Sequence, residues 1–564
     1  MTRRSQAFAL TVIVAAFAVA ASWGIRGGLP YVHFSNEAEQ VSFALKFSSG
    51  DLNPHRFVHP PLLAYVLCVG YGVTFLLGRL FGAYASAADF EKLFFTDPTL
   101  FFLIARYFIL MMGIGSLIVF YRLSRDIYGR VAVALLAVAL LATSATHVAI
   151  AHYGTPDIFM MFLALLSFLP IMRVLRGEGT MRHYVLAGVL SGLAVAAKYN
   201  AFCVAAALPL AHFLGFSWGT SGWKEALSSR KLWVGMFLVW GGFFLGNPFF
   251  LLDFKTFLAD YQYLKDVTRS PDYLFAHLRA DNHGAVYLLG RFFPTILGAP
   301  LAAMCYVGVL HALIRRRKQD MLLAAYVIGY SAFIAPHKIF KPYYFVHVLP
   351  FMFLLASKTC VMAADRVVNK RFRPALLGSL LVVLAAHPLS LIFRFDLDAA
   401  APSALNQAKD WVEKNVIVGT GVAIFEGMPL NPNRVSLERQ ILETDTRGFG
   451  AGVRLRRLLR HSETMAATYD VYEFPDPWRA DFHPAKFDYQ ALRKAGVRYV
   501  ILSNEWERYN GDPSRYPAQA ALYRKVVDDC RQDARFEQNA PDVDLGILGQ
   551  MPTVYIEIFD CRRG

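Results

Sequence analysis

Carboxylates, imidazoles and a cation lie close together in the polar segment that follows the first long apolar run of the chain. Residues 31–40 read YVHFSNEAEQ and bring Asn36, Glu37 and Glu39 within four positions. The next polar stretch, GDLNPHRFVHPP, adds two imidazoles and a guanidinium: His55, His59 and Arg56. A carboxylate can act as a general base, and a guanidinium can bind an anionic group. These residue types therefore permit proton transfer beside a bound anion.

A structural interpretation of the two glutamates competes with the catalytic one. A carboxylate in a loop is often only a solvated charge, and Glu37 would also suit a helix N-terminus. The stretch EAEQVSFALKF has apolar residues at helical spacing. It is typical of an amphipathic helix at a membrane interface.

A third acid, Asp157, opens an apolar run in AHYGTPDIFMMF, and His152 and Tyr153 lie one turn before it. An acid at a helix N-terminus is stabilised by the helix dipole, which is a purely structural role. An acid at the edge of a bilayer that faces a cavity is instead a candidate functional residue. Both interpretations of Asp157 stay open at this point.

Three lysines could bind an anion. Lys198 lies in the short break between two apolar runs in GLAVAAKYNAF, where it could snorkel to lipid headgroups or bind a phosphate. Lys338 and Lys341 lie in HKIFKPYYFVH, just before Tyr343, and an interfacial tyrosine is usually an anchoring residue. If the basic loops of the chain face the cytoplasm, this loop lies on the opposite side of the membrane, which is poor in cations. Two cations there indicate an anionic ligand such as a lipid phosphate.

The rest of the chain predicts a membrane protein. Of its residues 55% are hydrophobic and 18% are charged, against about 25% charged in soluble domains. Twelve apolar runs predict helices that cross or enter a bilayer: 7–25, 61–82, 100–121, 131–150, 157–175, 184–197, 199–215, 232–250, 285–313, 321–336, 343–363 and 375–394. We interpret the first as an uncleaved helix rather than a signal peptide. The net charge of +15 reflects basic loops beside the runs, rather than nucleic-acid binding.

The basic loops predict the topology. If they all face the cytoplasm, together with the N-terminus, the polar clusters and the C-terminal segment lie outside. The loops concerned are 121–130, 173–182, 228–231, 315–318 and 364–373. The count then requires one of the first three runs not to cross. We expect 61–82 to lie on or partly within the outer leaflet, which gives eleven crossings; the alternative is twelve.

The segment 396–564 is polar and predicts a small α/β domain outside the membrane, after a transmembrane domain of residues 1–395 whose first outer loop is 26–60. Alternating stretches such as VRYVIL and TVYIEI predict strands. Cys530 and Cys561 lie in this segment, and an oxidising compartment would allow them to form a disulfide. The other four cysteines lie in apolar runs and are expected to be buried thiols.

The ordered set of segments resembles one family. GDLNPHRFVHPPLLAYV, YRLSRDIYGR, HVAIAHYGTPD, HYVLAGVLSGLAVAAKYNA, FLGNPFFLLDF and KPYYFVHVLPF follow an acid-containing first loop. This order is similar to that of glycosyltransferase family 39, which includes protein O-mannosyltransferases and the aminoarabinose transferases of lipid A. The resemblance covers about residues 5–395. It implies a GT-C membrane fold in a bacterial inner membrane.

The resemblance implies transfer of a monosaccharide from a polyprenyl-phosphate donor to an acceptor hydroxyl outside the cytoplasm, by inverting displacement. The family's catalytic Asp-Glu pair corresponds here to Asn36 and Glu37, and an asparagine cannot act as the base. Either Glu37 or Glu39 takes that role, or the alignment slips, or the protein is inactive. The second family acid matches Asp157, and the HPP element matches His59 with the two following prolines.

Further roles follow from the implied chemistry. The leaving phosphate needs cations, and the candidates are Arg56, Lys198, Lys338 and Lys341. Residues expected to line the cavity or meet the acceptor are His55, His59, His152, Tyr153 and Tyr343. No cofactor is required, although His55, His59 and an acid could hold a divalent cation. The expected partners are the lipid-linked sugar, the acceptor and the bilayer, and no nucleic acid.

Two other classes of protein remain possible at the level of the sequence. A transporter or lipid flippase should show charges near mid-bilayer, broken helices and internal repeats. The polar clusters here instead collect at one face. Asn36 also keeps open a non-catalytic partner protein that has retained the fold.

Overall fold

The structure is a computed structural model that describes residues 2–32, 35–216, 222–269, 284–337, 341–367, 369–425, 427–445, 451–461, 467–474, 484–538 and 555–562. The first helices are α1 Arg3–Ser22, α2 Ser35–Phe47, α3 Leu62–Leu80, α4 Ala87–Thr96, α5 Thr99–Tyr128, α6 Val131–Ala142, α7 Ala145–Ala151, α8 Pro156–Leu175 and α9 Met181–Ala197. They continue as α10 Phe202–Gly215, α11 Gly222–Leu227, α12 Arg230–Gly246, α13 Phe249–Leu252, α14 Phe254–Arg269, α15 Gly284–Tyr287, α16 Phe293–Leu297, α17 Ala299–Arg315, α18 Lys318–Ile334, α19 Leu349–Val367 and α20 Arg373–Ala400.

Every predicted apolar run lies on helix, and the chain is a multi-pass membrane protein. Among the described residues, α1, α3, α5, α8 and the helix that starts at Arg373 are long and apolar enough to cross a bilayer. The pair α6 and α7 passes the same test together but is bent by 57°. Shorter apolar helices include α9 and α17. The prediction of about eleven or twelve crossings counted these shorter helices as well.

Polar contacts bring several helix ends to the same side of the bundle. Asp157 in the first turn of α8 contacts Lys198, which directly follows α9. Gly154, just before α8, donates to Glu37, and Glu37 accepts from Arg106 in the second turn of α5. The starts of α5 and α8 and the end of α9 therefore share one side, which we call the site side.

The helix α3 lies along the site side, although its length and composition would allow it to cross. At its start, Leu62 packs with Ala196 and Phe243, close to the ends of α9 and α12. Ten residues into α3, the Tyr71 hydroxyl donates to the carbonyl of Phe101 in the first turn of α5 at 3.1 Å. Since α3 connects helix ends on the same side, the contacts favour the predicted non-crossing segment at 61–82 over the alternative of twelve crossings.

The C-terminal region is an α/β fold. Its helices are α21 Ala404–Asn415, α22 Arg434–Asp445, α23 Ala451–His461, α24 Tyr489–Lys494, α25 Glu505–Gly511 and α26 Pro517–Asp529. Its strands are β1 Gly421–Phe425, β2 Asp470–Phe474, β3 Val497–Ser503, β4 Arg531–Glu537 and β5 Tyr555–Asp560. They form one sheet in the order β2-β1-β3-β5-β4, in which β2, β1 and β3 are parallel and β5 is antiparallel to both neighbours.

The side chains of β1 alternate between two cores, as the period of a strand requires. Val422 packs on the α21 face of the sheet, and Ala423 packs on the face covered by α26. Cys530, after α26, and Cys561, after β5, are joined by a disulfide in the structure. The helix α20 continues to Ala400, so the domain boundary at residue 395 stays a prediction.

Candidate functional site

Glu37 is fully buried and both of its carboxylate oxygens are occupied. Its Oε1 accepts from the Arg106 Nε at 2.8 Å and from the Gly154 backbone N–H at 2.7 Å, and its Oε2 accepts from the Arg106 Nη2 at 2.9 Å. Arg106 also donates to the carbonyls of Ile25 and Gly27. This bidentate pair fixes α2 against α5 and the start of α8. Glu37 is thus positioned to hold the helix rather than to accept a proton.

Glu39 differs from Glu37, although it lies only two positions further along α2. Its Oε2 is 3.6 Å from the Nε2 of His59, and its Oε1 is 3.8 Å from the Nε of Arg56. The Oε1 atom is buried and has no hydrogen-bond partner among the described residues. Burial lowers the pKa of His59, which favours a neutral imidazole beside the carboxylate. Glu39 is therefore the acid that is available to a ligand.

Asp157 and Lys198 form a buried pair on the same side. The Lys198 Nζ donates to the Asp157 Oδ1 at 2.6 Å and lies 4.6 Å from the centre of the Tyr343 ring. The other oxygen, Oδ2, is buried without a partner in the described part of the chain. The charge of Lys198 lowers the pKa of His59 and the charge of Asp157 raises it. This pair and the Glu39 cluster therefore belong to one electrostatic site.

The loop between α2 and α3 is held by α14. The backbone N–H of Phe57 donates to Asp260 at 2.5 Å, and the Asn53 side chain donates to Asp253 at 2.9 Å. His55 has a φ of 52°, which is unusual for a residue other than glycine, and its Nε2 lies 2.9 Å from Asp51. His55 and Arg56 are both more than half exposed at this rim. The loop thus brings His59 and Arg56 to Glu39 and leaves Arg56 open to solvent.

His152 and Tyr153 lie deeper, next to the Glu37 pair. The His152 Nδ1 is 2.9 Å from the carbonyl of Val148, and its Nε2 is 2.8 Å from the carbonyl of Trp23. The Tyr153 ring lies 5.6 Å from the Arg106 guanidinium. These contacts make both residues part of the frame that supports α2.

The remaining predicted residues have different positions. Asn36 is partly buried at the start of α2. Lys341 directly precedes the 3-10 turn Pro342–Phe345, and burial lowers its pKa to about 8. Lys338 lies outside the described residues. Among the residues that the structure describes, no group of three or more His, Cys, Asp or Glu side chains could hold a metal ion.

Two buried polar residues next to the predicted acids were missed by the sequence analysis. Arg106 is a charge within the apolar run 100–121, and an ionisable residue within a membrane helix is a signal that could have identified it. Gln40 is fully buried, and neither its Oε1 nor its Nε2 has a partner among the described residues. A glutamine in an amphipathic helix carries no comparable signal, because an exposed position is its usual one.

Comparison with known proteins gives one family match. Residues 99–245 match the family model of dolichyl-phosphate-mannose-protein mannosyltransferases. This segment runs from α5 to the last turn of α12 and contains Arg106, Asp157 and Lys198. The resemblance predicted from the sequence is thereby confirmed for this segment, which carries the pattern of a membrane glycosyltransferase family. No curated protein matches the chain.

Solved structures of membrane glycosyltransferases show a distant similarity. ArnT from Cupriavidus metallidurans bound to undecaprenyl phosphate has 13% identity and a TM-score of 0.49, over 99% of this chain and 98% of that one. The same enzyme in the apo state has 13% identity and a TM-score of 0.49, over 98% of both chains. An oligosaccharyltransferase from Archaeoglobus fulgidus, in complex with Zn and sulfate, has 14% identity and a TM-score of 0.47, over 90% of this chain and 69% of that one.

Proposed function

We propose that this protein transfers a monosaccharide from a polyprenyl-phosphate donor to an acceptor hydroxyl at the site side of the membrane. The observation that carries the proposal is the arrangement around Glu39. A buried carboxylate oxygen with no partner in the described part of the chain lies beside His59 and near the exposed Arg56, in the same electrostatic site as Asp157 and Lys198. A base next to several cations suits a reaction that releases a phosphate from a sugar.

Glu39, rather than Glu37 or Asn36, is the base in this proposal. Glu37 is neutralised by Arg106, and its oxygens already accept three hydrogen bonds. In the transfer step, the acceptor hydroxyl gives its proton to Glu39 while its oxygen forms a bond to the anomeric carbon. The bond from that carbon to the phosphate oxygen breaks, and the phosphate leaves with the electron pair. A single displacement of this kind inverts the anomeric centre.

Cations of the site stabilise the phosphate as it leaves. Lys198 is held in place by Asp157 and by the Tyr343 ring, so its ammonium group is already in position before the donor binds. Arg56 is 55% exposed and can reach a phosphate that enters from the rim. Lys341 has a pKa lowered to about 8 by burial, and an anionic ligand would favour its charged form. Asp157 Oδ2 and the Gln40 amide have no partner among the residues that the structure describes, and hydroxyls of the sugar or the acceptor can satisfy them.

The proposed setting is a bacterial inner membrane with the site on the extracytoplasmic face. Basic loops follow α5, α8 and α17 and precede α12 and α20, at the ends remote from the site. Such loops face the cytoplasm under the positive-inside rule. The disulfide between Cys530 and Cys561 agrees with an oxidising compartment for the C-terminal region.

The test is a transfer assay with the full chain reconstituted in lipid. Radiolabelled polyprenyl-phosphate mannose and other lipid-linked sugars serve as donors, and release of polyprenyl phosphate to membrane acceptors is measured. We expect Glu39→Gln to lower the transfer rate by about 10²- to 10⁴-fold while the melting temperature is unchanged, because it removes only the base. Glu178→Gln, an exposed acid on the opposite side, is the matched control and should keep full activity.

Two outcomes would contradict the proposal. Wild-type turnover by Glu39→Gln would show that this residue is not the base. Absence of turnover with every donor, together with unchanged envelope glycans in a deletion strain, would instead favour a non-catalytic partner protein.

A further inference from the structure

The C-terminal region contains a strongly basic amphipathic helix that the transfer reaction does not use. The sequence of α23, AGVRLRRLLRH, has four arginines, one histidine and no acid. Arg456 and Arg460 are exposed and one turn apart, so they lie on the same face of the helix. Leu455, Leu458 and Leu459 are only partly exposed. A helix of this composition is typical of one that lies on an anionic surface.

Contacts with the helical bundle determine where α23 lies relative to the edge of the apolar layer. The His461 ring stacks on the Phe95 ring of α4, with 5.4 Å between their centres. In the same helix α4, Phe90 lies 4.8 Å from Phe101, which belongs to the first turn of α5. Because α5 is long and apolar enough to span a bilayer, its first turn marks one edge of the apolar layer. The basic end of α23 is therefore held close to that edge.

The exposed apolar residues of α3 mark the same edge independently. Leu80 at the end of α3 is 76% exposed, and Phe81 is 81% exposed. Tyr84 packs on Phe90 with 4.9 Å between ring centres, so these residues are neighbours of α4. Large apolar side chains exposed to this extent belong in lipid. Lipid hydrocarbon thus lies on one side of α4, and α23 contacts the same helix through His461.

We propose that α23 binds the anionic headgroups of phospholipids in the leaflet on the site side, through Arg456 and Arg460. A guanidinium pairs with phosphate oxygens in two-pronged geometry, and the phosphate layer lies directly outside the apolar edge that α4 and Phe81 define. The interaction attaches the C-terminal region to the membrane surface through lipid as well as through protein contacts. It does not depend on sugar transfer, so its test is separate from the test of the proposed function.

The experiment compares the full chain in nanodiscs of phosphatidylcholine alone and in nanodiscs that also contain phosphatidylglycerol. Hydrogen exchange is measured on the peptide that contains α23. We expect exchange to be slower in the anionic nanodiscs, by about fivefold for each arginine that contacts a headgroup, and added salt to weaken the difference. The double variant Arg456→Gln, Arg460→Gln should lose the difference, and Arg456→Lys, Arg460→Lys should keep most of it.

Lys494→Gln is the matched control, since Lys494 is an exposed cation on α24 of the same region. It should leave the lipid dependence unchanged. Equal exchange of α23 in the two kinds of nanodisc would overturn the proposal, as would a lipid dependence that survives the double Gln substitution. Equal protection by inorganic phosphate in phosphatidylcholine nanodiscs would also overturn it, because the helix would then bind free anions rather than the membrane.

Discussion

Buried carboxylates lie on both sides of the helical bundle, and Asp320 and Asp157 differ in how completely their oxygens are paired. On the opposite side, Asp320 is fully buried; its Oδ1 accepts from the Tyr128 hydroxyl at 2.7 Å and its Oδ2 accepts from Lys358. On the site side, Asp157 has one oxygen paired with Lys198 and one oxygen for which no described residue is a partner. Both carboxylates therefore face a lysine, yet one cluster is closed and the other is open.

The difference separates a structural role from a functional one. A buried polar atom without a partner costs about 1–3 kcal/mol, so each one requires an explanation, and at a candidate site a bound ligand is one such explanation. The cluster of Asp320, Lys358 and Tyr128 joins α5, α18 and α19 and has no free acceptor on the carboxylate. The same comparison holds within the site side, where Glu37 is closed by Arg106 and Glu39 is open. The closed carboxylates position helices, whereas the open carboxylates of Glu39 and Asp157 can bind a ligand.

The largest effect on stability should come from removing one partner of a closed pair. We expect Glu37→Gln to destabilise the protein by about 3–5 kcal/mol, because it leaves the Arg106 guanidinium buried without a counter-charge. Glu39→Gln should cost less than about 1 kcal/mol, since its neighbours His59 and Arg56 are 3.6 and 3.8 Å away and partly exposed. Unfolding of both variants in detergent is the measurement. Equal destabilisation would remove the distinction between closed and open acids.

Replacing whole clusters by apolar residues should sharpen the comparison. The variant Asp320→Leu, Lys358→Met, Tyr128→Phe should fold and transfer sugar at close to the wild-type rate, because apolar replacement of a closed pair is often neutral. The variant Asp157→Leu, Lys198→Met should also fold, but should lose about 10²- to 10³-fold in transfer rate. Melting temperature and turnover are measured for both. Similar activity in the two variants would contradict a functional role for the open cluster.

A smaller effect is expected from the titration of Lys341. Its pKa is lowered to about 8 by burial, so it loses its charge as the pH rises through that value. If it binds the donor phosphate, kcat/KM should fall several-fold above pH 8, since this ratio reports the free enzyme. Lys341→Arg, which stays charged, should flatten the profile, and Lys494→Arg should not. An unchanged profile in Lys341→Arg would exclude Lys341 from donor binding.

The helices were predictable because they depend on long apolar runs, and the clustering of the polar segments at one side was expected from the charged loops. The pairing of the charges was not. Glu37 and Glu39 are two positions apart in one polar segment, and only the burial of Arg106 against α2 distinguishes them. That contact joins residues 69 positions apart in the chain. No local pattern encodes such a contact.

The path of α3 was likewise only partly predictable from the sequence. The charge count predicted a segment that does not cross, but its length and composition also fit a crossing helix. The hydrogen bond from Tyr71 to the first turn of α5 favours the non-crossing path. The charge count raised the question, and a tertiary contact favours one of the two answers.

The position of β5 in the sheet has a consequence for how the protein is made. Among the described strands it comes last in sequence, yet it lies between β3 and β4, and the cysteine that follows it is bonded to the cysteine that follows α26. The sheet therefore cannot close until β5 has been synthesised. The membrane helices precede β5 in the chain, so their insertion can be complete before then. The sheet thus matures after the bundle, and a chain truncated before Tyr555 would carry an inserted bundle with an unfinished sheet.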